Sequence, residues 1–461
     1  MPKSFLCSFL VVAFVSCQQN TDTSGFKVPV EYYKLDNGLK VVLSRDATSP
    51  LVTVTVYYNI GLRIEPRNRT GFAHLFEHMM FQGSENLGKM EFIKLVQRNG
   101  GILNGSTRFD FTNYYQTVPA HKLETILWAE ADRMKGLDIT EANLKNQQDV
   151  VKNEVKVNVL NQPYGGFPWL DMPQYANSNW YNAHNFYGDL SDLDAATLAD
   201  VKTFFKTYYA PNNAALVIVG DFDPEAAKAM INKYFGGIPS AEQPKKPDVG
   251  EPRQEVAKRA SQPDSLATRP AFAFAYHMPE RNAPEYYAMA LLDQILLQGD
   301  DCMLHDALVK KTGMTSSVSG GINLLGNMFD YSGPMLWTGY LFHDSQVSED
   351  AVKAVLDSVI EHVRSKPVDK ATLDRAIVKF RYAFYDMVSS GYGFGRADML
   401  ASFALFDDDP SRINTIESEI RNVTPELLQR SAEEYLRPTN QTVLTINPTK
   451  MLSKEDRQHE N

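Results

Sequence analysis

Alternating and helical runs of apolar residues divide this chain into two successive stretches of similar order. After an Asp36-Asn37-Gly38 turn, Gly38–Leu43 alternates as a strand, and Leu51–Tyr58 predicts a second. The segment Phe72–Phe81 predicts a helix that is apolar nearly all round and so belongs in a core, with Asn68 and Thr70 as cap candidates. Asn104–Gln116 alternates as one strand and Glu124–Met134 has helical spacing. Thr140 is placed to cap a long helix from Glu141 to about Asn161, stopped by Pro163. Helical Leu198–Tyr208 leads through Pro211 into the strand Ala215–Val219.

An internal repeat sets the architecture. ATLADVKTFFKTYYAPNNAALVIVGDF at 196–222 matches VTPELLQRSAEEYLRPTNQTVLTINP at 423–448 in pattern, pairing Pro211 with Pro438. Each copy is a capped amphipathic helix, an aromatic turn, Pro, Asn and a buried strand. The Leu51–Tyr58 strand has a counterpart in Pro270–Tyr276. The expected fold class is α+β: two tandem homologous α/β-sandwich domains, each a mostly antiparallel sheet with helices packed on it. The domains are placed at 27–236 and 269–450, with a Pro-, Lys-, Glu- and Gln-rich linker at 237–268 and a polar tail at 451–461.

Composition narrows the function classes. The 461 residues are 43% hydrophobic and 22% charged, which is globular, and the length exceeds a single core. A net charge of −10 without a basic stripe argues against nucleic acid as a partner. Lys3 and the apolar run Phe5–Val15 read as a signal segment, too short to span a bilayer. It ends in Phe14-Val15-Ser16-Cys17, similar to a bacterial lipoprotein cleavage box, with Cys17 as the lipidated residue and residues 18–26 as a tether. Phe14 departs from the usual Leu, so an ordinary signal peptide, or less readily an unprocessed apolar tail, remains an alternative. The expected location is the bacterial periplasm, anchored to the outer membrane through lipid alone, with Gln18 suiting that sorting. Cys7 would leave with the signal, so Cys302 stands alone and no disulfide framework is possible; its plain reading is a small buried hydrophobe.

The most specific chemistry lies in His74-Leu75-Phe76-Glu77-His78. Histidines four apart on a helix project from one face and can reach one cation at about 2.0–2.1 Å. Glu77, beside the second histidine, is placed to take a proton from an activated water rather than to bind metal. The order His-x-x-Glu-His reverses the commoner zinc signature. Two satisfied core histidines would look similar, yet two imidazoles and a carboxylate in a dry core need a compensating partner. Catalytic zinc takes three protein ligands, and the helix beginning at Glu141 offers Glu154, within the stripe Gln147, Val150, Val151, Glu154 and Val157. The alternatives are a Glu154 ion pair with Lys152 or Lys156, or a third ligand from Glu85, Asp110 or Glu130. His305, in GDDCMLHDALV, has no second histidine beside it and is read as an ordinary histidine.

HLFEH together with Glu154 in DVVKNEVKVNVLNQPYG resembles the insulinase/pitrilysin-type (inverzincin) zinc metallopeptidases, and among them the bacterial members related to mitochondrial processing peptidase. GGILNGSTRFDFTNYY and FYGDLSDLDAATLADVKTFFKTYYAPNNAALVIVGDF also fit, so the resemblance spans roughly residues 29 to 447. It implies one Zn2+ per chain on His74, His78 and Glu154, with Glu77 as general base. Gln147 stands where relatives often carry a Glu near the ligands, keeping a hydrogen bond but losing a charge. The strand at Asn104 lies beside the site in the family pattern, and its edge would pair with an extended peptide, with Asn104 as candidate contact.

One departure bears on partners. Where single-chain relatives bring an Arg and a Tyr from the second half, this chain has Val309 and Ser316, with only Lys310 and Lys311 nearby and both read as solvated charges. The resemblance therefore implies a heterodimer in which a zinc-less sister subunit supplies the Arg/Tyr pair. The expected function is a zinc metalloendopeptidase for unstructured peptides or small proteins; the alternative is a non-catalytic structural or peptide-binding subunit of a related complex.

Overall fold

The computed structural model describes residues 26–449; the signal segment with Cys17, the tether up to Gly25 and the tail 451–461 lie outside the described residues. Eleven strands form two sheets. They are β1 (Glu31–Lys34), β2 (Lys40–Arg45), β3 (Leu51–Tyr58), β4 (Ile102–Thr107), β5 (Thr112–Pro119), β6 (Ala214–Gly220), β7 (Lys258–Asp264), β8 (Ala271–His277), β9 (Ser319–Ile322), β10 (Leu336–Phe342) and β11 (Gln441–Pro448). The first sheet runs β1-β2-β6-β3-β5-β4 and the second β7-β11-β8-β10-β9. Apart from β1 the orders correspond strand for strand. Each has one parallel pair, β2 with β6 and β7 with β11, and is otherwise antiparallel.

The repeated segments occupy equivalent places. Thr197 caps the helix Leu198–Tyr208 and Thr424 caps Pro425–Tyr435; Pro211 and Pro438 each open a single 3-10 turn before the sheet's parallel strand. The sequence misplaces one boundary. Residues 258–264, expected within the linker, form β7. Its half-buried positions alternate with exposed ones, but they are Lys, Ala, Gln and Asp, so no apolar alternation marks this edge strand.

Along β2, β3 and β6 alternate side chains serve two cores, as period-two geometry requires. Val41, Leu43, Val54, Val56, Leu216 and Ile218 face one core, which holds Phe72, Phe76 and Phe204. Val42, Tyr57, Ala215, Val217 and Val219 face another, built mainly from the second half. The halves cross-pack. Helix Phe394–Asp407 lies on β2, β3 and β6, Phe394 stacks on Tyr115 at 3.8 Å, and Lys40 donates to the carbonyls of Ala404 and Leu405 at its C-terminal end. In return Phe167, Met172 and Ala176 cover the small-residue face of β8 (Ala271, Ala273, Ala275). Tyr57 donates to the half-buried Asp398 across this junction. No helix among the described residues is long and apolar enough to cross a membrane.

Candidate active site

The helix bearing the motif spans Phe72–Met79, and its start is unlike the expected one. Gly71 stands at the N-cap with φ 83°, and neither Asn68 nor Thr70 caps it; Thr70 instead donates through its amide and hydroxyl to Asp192. A helix N-terminus leaves amides unpaired, and here a fully buried Glu65 accepts from Gly71 N at 2.8 Å and Ala73 N at 2.6 Å. Burial pushes its carboxyl up to about 8, against the pull of those two amides. No sequence signal marks Glu65, because its partners follow a loop rather than a capping-box spacing. Glu65→Gln keeps the shape but turns an NH2 toward one of the two amides. The expected cost is about 1–3 kcal/mol of stability, read from denaturant unfolding.

His74 and His78 lie one turn apart, their rings at 5.0 Å and 82°. The helix Glu141–Val155, capped by Thr140 as expected, crosses against them and brings Glu154 to the pair before continuing into a π-helical turn at Lys156–Leu160. His74 Nε2 is 3.5 Å from Glu154 Oε1, and His78 Nε2 is 3.3 Å from Oε2. Donor atoms of the three residues lie within 4.8 Å of one another, the only such group of three or more His, Cys, Asp or Glu among the described residues. Charge-assisted hydrogen bonds are shorter, about 2.7–2.9 Å. A tetrahedron with bonds of ~2.05 Å has edges of roughly 3.3 Å, so a tetrahedral ion suits the spacing. Two imidazole nitrogens and one carboxylate, with room on the fourth side, are a donor set that fits zinc. The two histidines hold the Glu154 carboxyl well below the usual carboxylate range despite partial burial.

The surroundings of Glu154 differ from the expected stripe. Val150 and Val157 are 40% and 47% exposed, while Leu144, Gln147, Gln148, Val151 and Val155 form the buried face. Glu154 therefore sits on the border of the apolar face, where a side chain can reach a cleft. Lys152 pairs with Asp149 and Asp194, not with Glu154. The other ligand candidates are engaged or remote: Glu130 with Arg133, Asp110 with Arg63, and Glu85 exposed. Gln147 is buried but donates to Asn146 at 2.8 Å rather than to a histidine, and His74 Nδ1 is buried without a partner among the described residues. The hydrogen bond expected from Gln147 to the site is thus not formed.

Glu77 faces a cavity of about 190 Å3 shared with His74, Glu154, Arg108, Tyr187 and, from the second half, Leu325. Thr107 Oγ1 donates to Glu77 Oε2 at 2.6 Å and fixes the carboxylate against β4. The expected single strand Asn104–Gln116 is a hairpin of β4 and β5. Phe109 and Phe111 turn inward, and Asp110 pairs with Arg63 at 2.8 Å while accepting from Ser332 N and Gly333 N. Those long-range partners break the alternation. β4 is the last strand of its sheet, so its outer edge is unpaired among the described residues; Asn104 is exposed on it and accepts from Gly105 N. Ser316 is exposed, Val309 is half-buried, and neither lines the cavity. Lys310 donates to Asp300 O, Lys311 pairs with Asp306, and His305 stands 3.6 Å from Asp300, while Cys302 is buried. Tyr187, which no motif of its own marks in the sequence, lies with its ring 5.4 Å from that of His74.

The chain has known relatives. Residues 40–172 match the family profile "Insulinase (Peptidase family M16)" and residues 195–379 match "Peptidase M16 inactive domain". The chain is 25% identical over 425 residues to zinc protease PqqE of Helicobacter pylori, covering 91% of this chain and 93% of that protein. In fold it is similar to the crystal structure of a protease from Helicobacter pylori, with TM-score 0.82, 24% identity, and 92% and 100% of the two chains covered. The periplasmic protease PqqL of Escherichia coli has the same fold with TM-score 0.73 and 16% identity, over 94% of this chain and 50% of that one. The two-sheet fold with helices on each sheet, the family profiles across both halves and a relative matched nearly end to end place this chain in the insulinase/pitrilysin-type (M16) peptidase family.

Proposed function

We propose that this chain is a zinc-dependent metalloendopeptidase of unstructured peptides or small proteins, holding one zinc ion on His74, His78 and Glu154. The observation that carries this reading is the convergence of two Nε2 atoms and a carboxylate at tetrahedral spacing, with Glu77 on the same cavity. Bound there, zinc would supply Lewis acidity that polarises a scissile carbonyl and lowers the pKa of a water to about 7. Glu77 takes the water proton and returns it to the leaving amine, and Thr107 keeps its carboxylate aimed during both transfers. The free edge of β4 binds the peptide backbone as an added strand, with Asn104 beside it. The unpartnered amides and carbonyls of that edge suit extended, unfolded substrates with little sequence preference.

The chain acts as the zinc-bearing subunit of a heterodimer, whose sister contributes the Arg/Tyr pair that Val309 and Ser316 replace. Supporting this, the match to PqqL covers half of that chain, as one of two such units would. Lipidation at Cys17 would hold the enzyme on the periplasmic side of the outer membrane. A peptide-binding subunit that retains metal without turnover is the second reading, favoured by the absence of Val309 and Ser316 from the cavity. Zinc content and cleavage of an unstructured fluorogenic peptide, with the chain alone and with its sister, test both. One zinc per chain and cleavage raised at least about tenfold by the sister is the expected result. Equal rates with and without any sister contradict the heterodimer, and zinc without turnover in either state favours the second reading.

A further inference from the structure

We propose that Tyr187 is a catalytic hydrogen-bond donor, its phenol bonding the scissile carbonyl oxygen as negative charge develops there. The inference rests on the peptidase reading and assigns a role that the second half of this chain leaves vacant at Val309 and Ser316.

Three observations carry it. First, of the three hydroxyl donors lining the cavity, Ser106, Thr107 and Tyr187, two are engaged. Ser106 Oγ donates to Asn113 at 2.6 Å and Thr107 Oγ1 to Glu77. The Tyr187 hydroxyl makes no hydrogen bond among the described residues; its amide donates to Asn185 Oδ1. Second, its ring is fixed against the metal-ligand set, 5.4 Å from His74 on one side and edge-on to Trp169 at 5.4 Å on the other. Third, its backbone is locked to the start of the motif helix. Gly188, at φ 80°, lies so close that a Cβ there would stand 2.4 Å from Gly71 N, and a Cβ on Gly71 would meet Tyr187 O at 3.0 Å. Asp189 N then donates to Thr70 Oγ1 at 2.9 Å. Two glycines in contact thus set the distance between Tyr187 and the His74 helix, which is the pre-organisation that stabilising a developing oxyanion demands.

No covalent bond to Tyr187 forms in this step. The phenol keeps its proton, donates it as a hydrogen bond while the carbonyl carbon becomes tetrahedral, and releases the oxygen when the amine leaves. A donor of this kind acts whether or not a sister subunit contributes contacts from the opposite wall.

The test compares the zinc-loaded full chain with Tyr187→Phe, which keeps the ring against His74 and removes only the hydroxyl. Zinc content, kcat, KM, and calorimetric affinity for a phosphinic peptide and for a product peptide are measured. The expected result is one zinc per chain in both proteins, kcat lower by about 100-fold, KM within about twofold, phosphinic-peptide affinity lower by a comparable factor and product affinity unchanged. Unchanged kcat and phosphinic-peptide affinity in an active, zinc-bearing protein overturn this inference alone. Loss of zinc in the variant reduces Tyr187 to a packing residue and also overturns it. A wild-type chain that takes up no zinc overturns the peptidase reading and this inference together.

Discussion

Glu77→Gln is expected to lower peptide cleavage by about 10²–10⁴-fold while the protein keeps one zinc per chain. The substitution is nearly isosteric, and Thr107 Oγ1, which donates to Glu77 Oε2, can donate equally to the amide oxygen of Gln. The cavity wall therefore stays in place and only the proton acceptor is lost. Glu77 is not a member of the donor group His74, His78 and Glu154, so metal uptake should not follow activity. Activity measured on a fluorogenic peptide, beside zinc quantified on the same sample, separates the two. Retained activity would remove Glu77 as the base, and lost zinc would place it among the ligands.

Glu154→Ala should have the opposite signature. With the carboxylate gone, the donor set falls to two imidazoles, and zinc affinity should drop by more than about 100-fold, since changes merely behind a ligand already cost 10–100-fold. Activity falls with the metal. Zinc bound to the native state adds stability by mass action, so wild-type protein should melt higher with zinc than after chelation. In Glu154→Ala that difference should nearly vanish. The variant should fold, because Glu154 lies at the border of the buried face and Leu144, Val151 and Val155 retain the packing. Zinc titration followed by calorimetry gives both numbers, and an unchanged affinity would require another third ligand.

Much of this site was legible because its signals are local. HLFEH places two histidines and a glutamate together on one short helix, and Glu154 stood out on a capped helix that Thr140 begins as expected. The repeat at 196–222 and 423–448 likewise disclosed two sheets of matching order, since capped helix, Pro and buried strand recur together. What escaped depends on contacts distant in sequence. Asp110 turns one apparent strand into the β4–β5 hairpin through Arg63 and the amides of Ser332 and Gly333. Glu65 caps the motif helix from across a loop, and Tyr187 reaches His74 only because Gly188 meets Gly71. β7 lacks apolar alternation because it is an edge strand, so composition marked it as linker. The reciprocal packing of Phe394–Asp407 and Phe167–Ala176 across the halves has no one-dimensional signature either.

His74, His78 and Glu154 are expected to form one zinc centre. Zinc-edge X-ray absorption on the purified chain tests it most directly, with His78→Ala measured beside the wild type. One zinc per chain is expected, with two imidazole nitrogens at about 2.0–2.1 Å and carboxylate oxygen at about 2.0–2.2 Å, and one imidazole fewer in the variant. Absence of zinc from the wild type, or a metal shell that His78→Ala leaves unchanged, would contradict it.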